Sequence, residues 1–192
     1  MSAPLPLDAD VLVLGGGMAG AIAALAARET GARVVLVRRS PGATALSSGG
    51  VTVASDDNGL PGDPPGTRGG PLEAARRIAS MHPEHPYAVV GPALERLPEA
   101  LAFAGRVLSE LYAPRTERSR WLVTPIGIVV PCALCQRAQA EGDLASLSGT
   151  IAVVGFADHL SFDAGLVADG LRRLGRPVAP RAVEVALDLP VG

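Results

Sequence analysis

The stretch DVLVLGGGMAGAIAALAARETGARVVLVR, residues 10–38, decides the fold of this 192-residue chain. Its apolar run from Val11 to Leu14 predicts a buried parallel strand that ends at the following glycines. The alanine-rich segment from Ala19 to Arg28 favours a helix that would end at Gly31, and Val34 to Val37 predicts a second strand. A strand, a tight turn, a helix and a strand in about 30 residues make a βαβ unit. The sequence therefore predicts an α/β protein.

Three glycines in the turn, Gly15, Gly17 and Gly20, follow the G-x-G-x-x-G spacing. In that pattern the first glycine permits the sharp turn, the second lets backbone approach a pyrophosphate, and the third lets the helix pack on the strand. Free N–H groups and the positive end of the helix dipole then face the phosphates. Because the spacing lies between a predicted strand and a predicted helix, it indicates a dinucleotide site. The predicted contacts are Gly15, Gly16, Gly17, Met18, Ala19 and Gly20.

Two arginines stand where the second strand ends. An acidic residue at this position usually binds the ribose hydroxyls, but this chain has Arg38 and Arg39 there. Two arginines can meet the 2'-phosphate of NADP. The alternative interpretation is that they are solvated charges at a strand end.

Composition and charge exclude several classes of protein. The formal net charge of −2 gives no reason to expect nucleic acid or an anionic membrane as a partner. All 17 basic residues are arginine, so the 192 residues offer no lysine as a nucleophile. The uncharged run from Val11 to Ala27 is broken by three glycines, so we expect no membrane span. The first ten residues lack the basic start of a secretory signal, which favours a cytoplasmic protein.

Downstream, the pattern predicts a helix from Pro71 to Met81 and a short hairpin of strands Trp121–Val123 and Ile126–Val130. Between them, leucine and alanine recur at steps of three and four, which predicts an amphipathic helix that Pro98 either kinks or starts. The members of this stripe are Leu94, Leu97, Leu101, Ala104, Leu108 and Leu111. A second strand, helix and strand follow at Ile151–Val154, Phe162–Leu174 and Val183–Leu189.

Two other pairs of residues could carry chemistry. Cys132 and Cys135 form C-x-x-C, which can be a redox dithiol or half of a metal site, and a thiol at a helix start would have a lowered pKa. No second pair completes four ligands, so we interpret them as ordinary thiols. His82 and His85 likewise lack a third ligand nearby. No metal site is predicted.

The opening residues 8–54 resemble the flavin-binding start of the fumarate reductase and succinate dehydrogenase flavoprotein superfamily. In that superfamily the dinucleotide fold cradles FAD, and a serine–glycine segment wraps the flavin, as Ser47, Ser48, Gly49 and Gly50 would here. More narrowly, the chain resembles the family of B subunits of anaerobic glycerol-3-phosphate dehydrogenases, in which a basic residue replaces the second-strand acid. Residues 85–92, 122–127 and 151–174 look like counterparts in that family, in the same order.

This resemblance implies a flavin-binding oxidoreductase subunit that takes part in oxidising glycerol 3-phosphate to dihydroxyacetone phosphate and passes electrons towards quinone. It implies FAD as the cofactor, with FMN as the alternative because the ribose carboxylate is lost. Arg38 and Arg39 would lie at the adenosine ribose, and Ser47, Ser48 and Gly49 near the flavin. A catalytic A subunit and an iron–sulfur, membrane-anchoring C subunit are the implied partners, and through them the chain would be peripheral to the inner membrane. No catalytic residue is assigned.

Length is the main departure from that family, whose members are about twice as long and return to the nucleotide fold in their later half. No second glycine-rich segment precedes Gly192, so we expect a fragment, a truncated reading frame, or a second half supplied by another chain. Two other functions stay open. One is an NADP-dependent reductase module, and the other is a non-catalytic partner subunit that retains the nucleotide fold.

The sequence thus predicts a Rossmann-like FAD/NAD(P)-binding fold with a parallel sheet, plus the start of a second α+β substrate or cap region. We divide the chain into a flavin-binding βαβ unit with its flavin-wrapping loop (1–55) and a Gly/Pro-rich loop (56–70). A helical and hairpin insertion (71–150) and the second strand, helix and strand (151–192) follow.

Overall fold

The computed structural model describes residues 8–54, 70–156, 162–179 and 183–185. The strands are β1 (Val11–Leu14), β2 (Val34–Val37), β3 (Val51–Thr52), β4 (Arg120–Val123), β5 (Val129–Leu134), β6 (Val154–Phe156) and β7 (Val183–Val185). The helices are α1 (Met18–Glu29), α2 (Pro71–Met81), α3 (Pro86–Val89), α4 (Leu97–Val107), α5 (Arg137–Ala140) and α6 (Ala164–Arg173), with 3₁₀ turns at Ala43–Leu46 and Gly91–Arg96. The predicted loop over 56–70 lies, except for its last residue, outside the described residues.

The opening βαβ unit is confirmed. β1 and β2 pair in parallel, in a register that begins with Val11 opposite Val34. α1 starts one residue before the predicted start. It ends where Gly31, at φ +86°, donates its N–H to the carbonyl of Arg28 at 3.0 Å. The glycine therefore ends the helix as its sequence position indicates.

The burial predicted for β1 is wrong. Leu12 and Leu14 are 59% and 74% exposed, whereas Val11 and Val13 are half-buried. α1 lies over the Val13 side, since a Cβ at Gly20 would stand 3.6 Å from a methyl of that valine. In the described part of the chain β1 pairs with β2 alone. α1 therefore covers one face of the strand pair, and the two leucines of β1 lie exposed on the other face.

The helical region follows the predicted stripe with one break. α2 has the predicted bounds, and Pro98 lies in the first turn of α4, so it starts this helix and does not kink it. Leu101 and Ala104 are buried, as the pattern predicts. Leu111 is 70% exposed because α4 has already ended at Val107.

The predicted hairpin is confirmed, but its second strand is displaced. β4 and β5 are antiparallel with Trp121 opposite Pro131, and β3 pairs with the other edge of β5. Residues 124–128 form the turn, in which Gly127 adopts φ +76° and donates its N–H to the Thr124 carbonyl at 2.9 Å. The second strand therefore runs over 129–134 and not over 126–130.

The second strand, helix and strand also form, with parallel pairing of β6 and β7. The predicted first strand is three residues too early, because Ile151 makes only an isolated bridge with Val178. α6 begins after Asp163, whose carboxylate accepts the N–H of Leu166 at 3.0 Å. The end of the predicted last strand, beyond Val185, lies outside the described residues.

Two hydrophobic clusters connect these units. The first joins α1 to α4 and to the three-stranded sheet through Ile22, Leu101 and Leu134. The second joins the same sheet to α6 through Trp121 and Leu171. The three-stranded sheet is thus the element against which both βαβ units pack.

Candidate functional site

The glycine turn is closely packed at two of its positions. A Cβ at Gly20 would lie 2.2 Å from the carbonyl oxygen of Gly15, so the start of α1 can approach the turn only without a side chain there. A Cβ at Gly16 would lie 2.5 Å from the carbonyl oxygen of Ser40. Gly15 itself has φ +129°, which ordinary residues rarely adopt. These three glycines are required by the fold of the turn.

Gly17 differs, because the fold leaves space at this position. Its φ is −81°, and a Cβ there would come no closer than 3.6 Å to another heavy atom, the Thr44 hydroxyl oxygen. Packing within the described residues therefore does not require a glycine. A ligand that approaches the backbone does require one, which is the role that the dinucleotide pattern gives to the second glycine.

The segment after β2 lies directly on the turn. A Cβ at Gly42 would stand 2.8 Å from the Cα of Gly17. The Met18 N–H donates to the Thr44 hydroxyl at 3.2 Å, which occupies one of the N–H groups at the start of α1. The first turn of α1 contains no acidic residue, and its Ala19 is exposed. The N-terminus of this 12-residue helix is thus electrostatically suited to a phosphate.

The two arginines differ in position. The Cβ and Cδ of Arg38 lie 2.7 and 2.8 Å from where a Cβ of Gly16 would be, so the stem of this arginine packs on the glycine turn. Both arginines are exposed. The structure therefore places the stem of Arg38 on the glycine turn, and a role for Arg39 stays a prediction.

The serine–glycine segment follows the 3₁₀ turn that carries Thr44. The Ser47 hydroxyl donates to the Thr44 carbonyl at 3.0 Å and accepts the Gly49 N–H at 3.1 Å. Its hydrogen-bonding capacity is used to shape the segment. The Ser48 side chain is exposed and makes no such bond to the described residues, so its hydroxyl stays available for hydrogen bonding.

Three side chains from distant parts of the chain hold this segment. The Tyr112 hydroxyl donates to the Gly49 carbonyl at 2.5 Å, in a buried contact. Gln136 and Gln139 both donate side-chain N–H groups to the Ser48 carbonyl, at 3.2 and 3.1 Å. We call Tyr112, Gln136 and Gln139 the clamp. It fixes the backbone of the segment, while the Ser48 side chain stays exposed.

A cavity of about 520 Å³ opens beside the clamped segment. Ser48, Gly50 and Thr52 line it together with residues of the hairpin, of the connection before β6 and of α6. The serine–glycine segment therefore links the glycine turn, through the 3₁₀ turn, to this cavity.

The two cysteines are free and buried. Cys132 lies within β5 and not at a helix start, and burial raises the pKa of its thiol from an ordinary 9.0 to about 11. Burial also raises the pKa of Cys135, although Arg120 opposes this shift. A raised pKa disfavours the thiolate that redox and metal chemistry need. His85, one of the two candidate histidines, caps α3 by accepting the Tyr87 N–H on its Nδ1.

Sequence reasoning missed Thr44 and the clamp. Thr44 follows the second strand closely, and its proximity to the turn could have been suspected from the short connection. The clamp residues have no local signal, since they lie more than sixty positions from the segment that they hold.

The described residues fit a dinucleotide. Gly17 leaves room for a ligand against the backbone, and the stem of Arg38 packs on the glycine turn. The first turn of α1 contains no acidic residue that would repel a phosphate. A family model described as FAD binding domain matches residues 10–180, and the chain therefore belongs to the FAD-binding domain family. Of the two flavins that the sequence left open, this match supports FAD as the cofactor.

Within that family, curated relatives point to one kind of subunit. The chain is 30% identical over 186 residues to the B subunit of anaerobic glycerol-3-phosphate dehydrogenase from Pectobacterium atrosepticum, covering 95% of this chain and 42% of the relative. It is 33% identical over 126 residues to the protein of the same name from Vibrio vulnificus, covering 63% and 27%. A relative in Halobacterium salinarum, described as a probable B subunit of the same dehydrogenase, is 31% identical over 181 residues, covering 94% and 40%.

The sequence resemblance to the B-subunit family is thereby confirmed. The chain spans about two fifths of the length of the relatives from Pectobacterium and Halobacterium. No solved structure matches the chain. Among the helices described, none is both long and apolar enough to cross a membrane.

Proposed function

We propose that this chain is the FAD-binding part of an oxidoreductase subunit of the anaerobic glycerol-3-phosphate dehydrogenase type. The observation that carries the proposal is the glycine turn, where the fold leaves space for a Cβ at Gly17, whereas packing excludes one at Gly16 and Gly20 and the positive φ of Gly15 disfavours one there. The family match over residues 10–180 and the names of the curated relatives support the same function.

In this proposal the residues act by binding and orienting the cofactor. The N–H groups at the start of α1 and the Gly17 backbone bind the pyrophosphate, with Met18, Ala19 and Gly20 forming the first helical turn. Arg38 lies towards the adenosine ribose, and Ser48 and Gly49 lie beside the flavin. A bound flavin supplies hydride acceptance, which the protein itself lacks. The clamp keeps the serine–glycine segment in one conformation.

The reaction that we propose for the whole enzyme is oxidation of glycerol 3-phosphate to dihydroxyacetone phosphate, with electrons passed towards quinone. A catalytic A subunit and an iron–sulfur C subunit that anchors the complex at the membrane would be the partners. The subunit designation of the relatives supports partner subunits in general. A Rossmann-like sheet completed by further strands, and the four-part division of the chain, belong to the same proposal.

A second candidate function is an NADP-dependent reductase module. The packing of the Arg38 stem on Gly16 favours it, because this places an arginine beside the turn at the end of β2. Tighter binding of NADPH than of FAD by the same chain would support this candidate and contradict the first.

The test is the visible absorption spectrum of the purified chain, followed by mass identification of the compound released on denaturation. We expect a flavin spectrum and release of FAD. A protein that stays colourless after incubation with FAD would contradict the proposal for this chain and favour a non-catalytic partner subunit.

A further inference from the structure

Gly50, the last residue of the serine–glycine segment, packs against a cysteine of β5. A Cβ at position 50 would lie 2.7 Å from the Sγ of Cys132, which is closer than a side chain can approach. The two residues meet because β3 starts directly after Gly50 and pairs with β5, where Thr52 lies opposite Cys132. The sulfur therefore occupies the space that a side chain at position 50 would need.

The backbone of Gly50 gives no other reason for a glycine. Its neighbour Gly49 has φ +79°, a conformation that favours glycine, whereas Gly50 does not have a positive φ. Outside the two chain neighbours, the nearest described atom after the sulfur is the Ser48 hydroxyl oxygen, which would make an ordinary contact at 3.7 Å. Among the described residues, Cys132 is thus the one that excludes a side chain at position 50.

The Cys132 side chain has little freedom to move away from this contact. It is 3% exposed and packs in a cluster with Leu122 and Cys135, and its thiol donates to the Leu134 carbonyl at 3.5 Å. Burial raises the pKa of this thiol, so it stays neutral and acts on Gly50 through its volume. A close-packed interior transmits such a contact to its neighbours.

Two kinds of contact therefore hold the serine–glycine segment. The clamp donates hydrogen bonds to the carbonyls of Ser48 and Gly49, whereas the Cys132 sulfur packs on the next residue, Gly50. Ser48, Gly50 and Cys132 also line the same cavity. The sulfur thus fixes the backbone at the point where the segment passes into β3.

We propose that Cys132 is a positioning residue, whose sulfur seats Gly50 and thereby holds the serine–glycine segment in the conformation that binds FAD. The cofactor in this inference rests on the proposed function. The inference gives a steric role to one cysteine of the C-x-x-C pair, for which the sequence indicated only ordinary thiols.

A double-mutant cycle tests this assignment. Gly50→Ala places a methyl group against the sulfur, so we expect FAD to bind about fivefold more weakly, or weaker still. Adding Cys132→Ala removes the sulfur, and the double variant should bind FAD within about twofold of Cys132→Ala alone. The matched control is Cys135→Ala, which removes the other buried thiol but not the contact with Gly50, and which should not rescue Gly50→Ala.

Two independent measurements follow the cycle. The first is the dissociation constant of FAD. The second is hydrogen exchange of the amides of residues 47–52 in the cofactor-free chain, which Gly50→Ala should speed up and the added Cys132→Ala should slow again. Because exchange is measured without cofactor, it reports the seating of the segment whether or not FAD binds.

Three results would overturn the proposal: unaltered FAD affinity in Gly50→Ala, equal rescue by Cys135→Ala, or recovery of the melting temperature without recovery of FAD affinity. If Gly50→Ala alone does not fold, a folded and FAD-binding double variant supports the proposal, and an unfolded one overturns it. An original chain that binds no FAD would contradict the proposed function, and the exchange measurements would then decide by themselves whether Cys132 seats Gly50.

Discussion

The backbone N–H of Met18 donates to the hydroxyl of Thr44 at 3.2 Å, across 26 positions of sequence. This hydrogen bond joins the first turn of α1 to the segment that follows β2. It holds the 3₁₀ turn at Ala43–Leu46 against the glycine turn, immediately before the serine–glycine segment. The phosphate end and the ring end of the proposed cofactor site are therefore connected through Thr44.

We expect Thr44→Val to weaken FAD binding by up to about tenfold, because one hydrogen bond contributes about 0.5–1.5 kcal/mol. The valine keeps the shape of the side chain but loses the acceptor for the Met18 N–H. The dissociation constant of FAD, measured by flavin fluorescence, tests this. Thr44→Ser should bind as the original chain does, and Thr30→Val, at the far end of α1, is the matched control. An unchanged constant in Thr44→Val would exclude a role for this hydroxyl.

Substitutions at two glycines of the turn should have different effects, one on stability and the other on FAD binding. We expect Gly20→Ala to lower the free energy of unfolding by about 1–3 kcal/mol, because its Cβ would lie 2.2 Å from a backbone oxygen. Gly17→Ala should leave the melting temperature nearly unchanged and still reduce FAD retention, because its Cβ meets only the space proposed for the ligand. Thermal unfolding and flavin content of both variants check this. Full flavin occupancy in Gly17→Ala would contradict the proposed position of the pyrophosphate.

The clamp should control the serine–glycine segment. Tyr112→Phe leaves the Gly49 carbonyl without its donor in a buried place, so we expect a loss of stability of about 1–3 kcal/mol and weaker FAD binding. Tyr87→Phe is the matched control, since the Tyr87 hydroxyl accepts the Ala54 N–H at 3.2 Å, beyond the segment. Denaturant unfolding and FAD titration measure both effects. Equal FAD affinity in the two variants would show that the clamp is structural only.

The cysteines should be unreactive in the folded chain. With its pKa raised to about 11, the Cys132 thiol is about one part in a thousand thiolate near pH 8. We expect slow labelling by a thiol reagent until the chain is unfolded, and unchanged flavin content in Cys135→Ser. Rapid labelling of the native chain would contradict the burial of these thiols.

The raised pKa of Cys132 makes the free energy of unfolding depend on pH. The folded-state pKa of Cys132 lies above its ordinary value, so the contribution of the neutral thiol is complete below about pH 9. It is lost as the pH rises from about 9 to about 11, since the unfolded chain ionises first. Denaturant unfolding across this interval should show the decline, and Cys132→Ala should reduce it.

Much of the fold was open to prediction because its signals are local. The glycine spacing, the capping glycine at Gly31 and the proline at Pro71 each act on neighbouring residues, and the corresponding helices start or end within a residue of the expected positions. The burial of β1 was not predictable in this way. An apolar run indicates that a strand can be buried. Whether Leu12 and Leu14 are exposed depends on which elements pack against that strand.

The sequence by itself determined the βαβ unit, the dinucleotide turn and the class of cofactor, because a strand, three spaced glycines and a helix act within a single short segment. Only the tertiary structure decided which other residues hold the candidate site together. Thr44, Tyr112 and the two glutamines reach it through contacts between positions 26 to 91 residues apart. Such contacts depend on the packing of both βαβ units on the three-stranded sheet, and no local pattern in the chain predicts that packing.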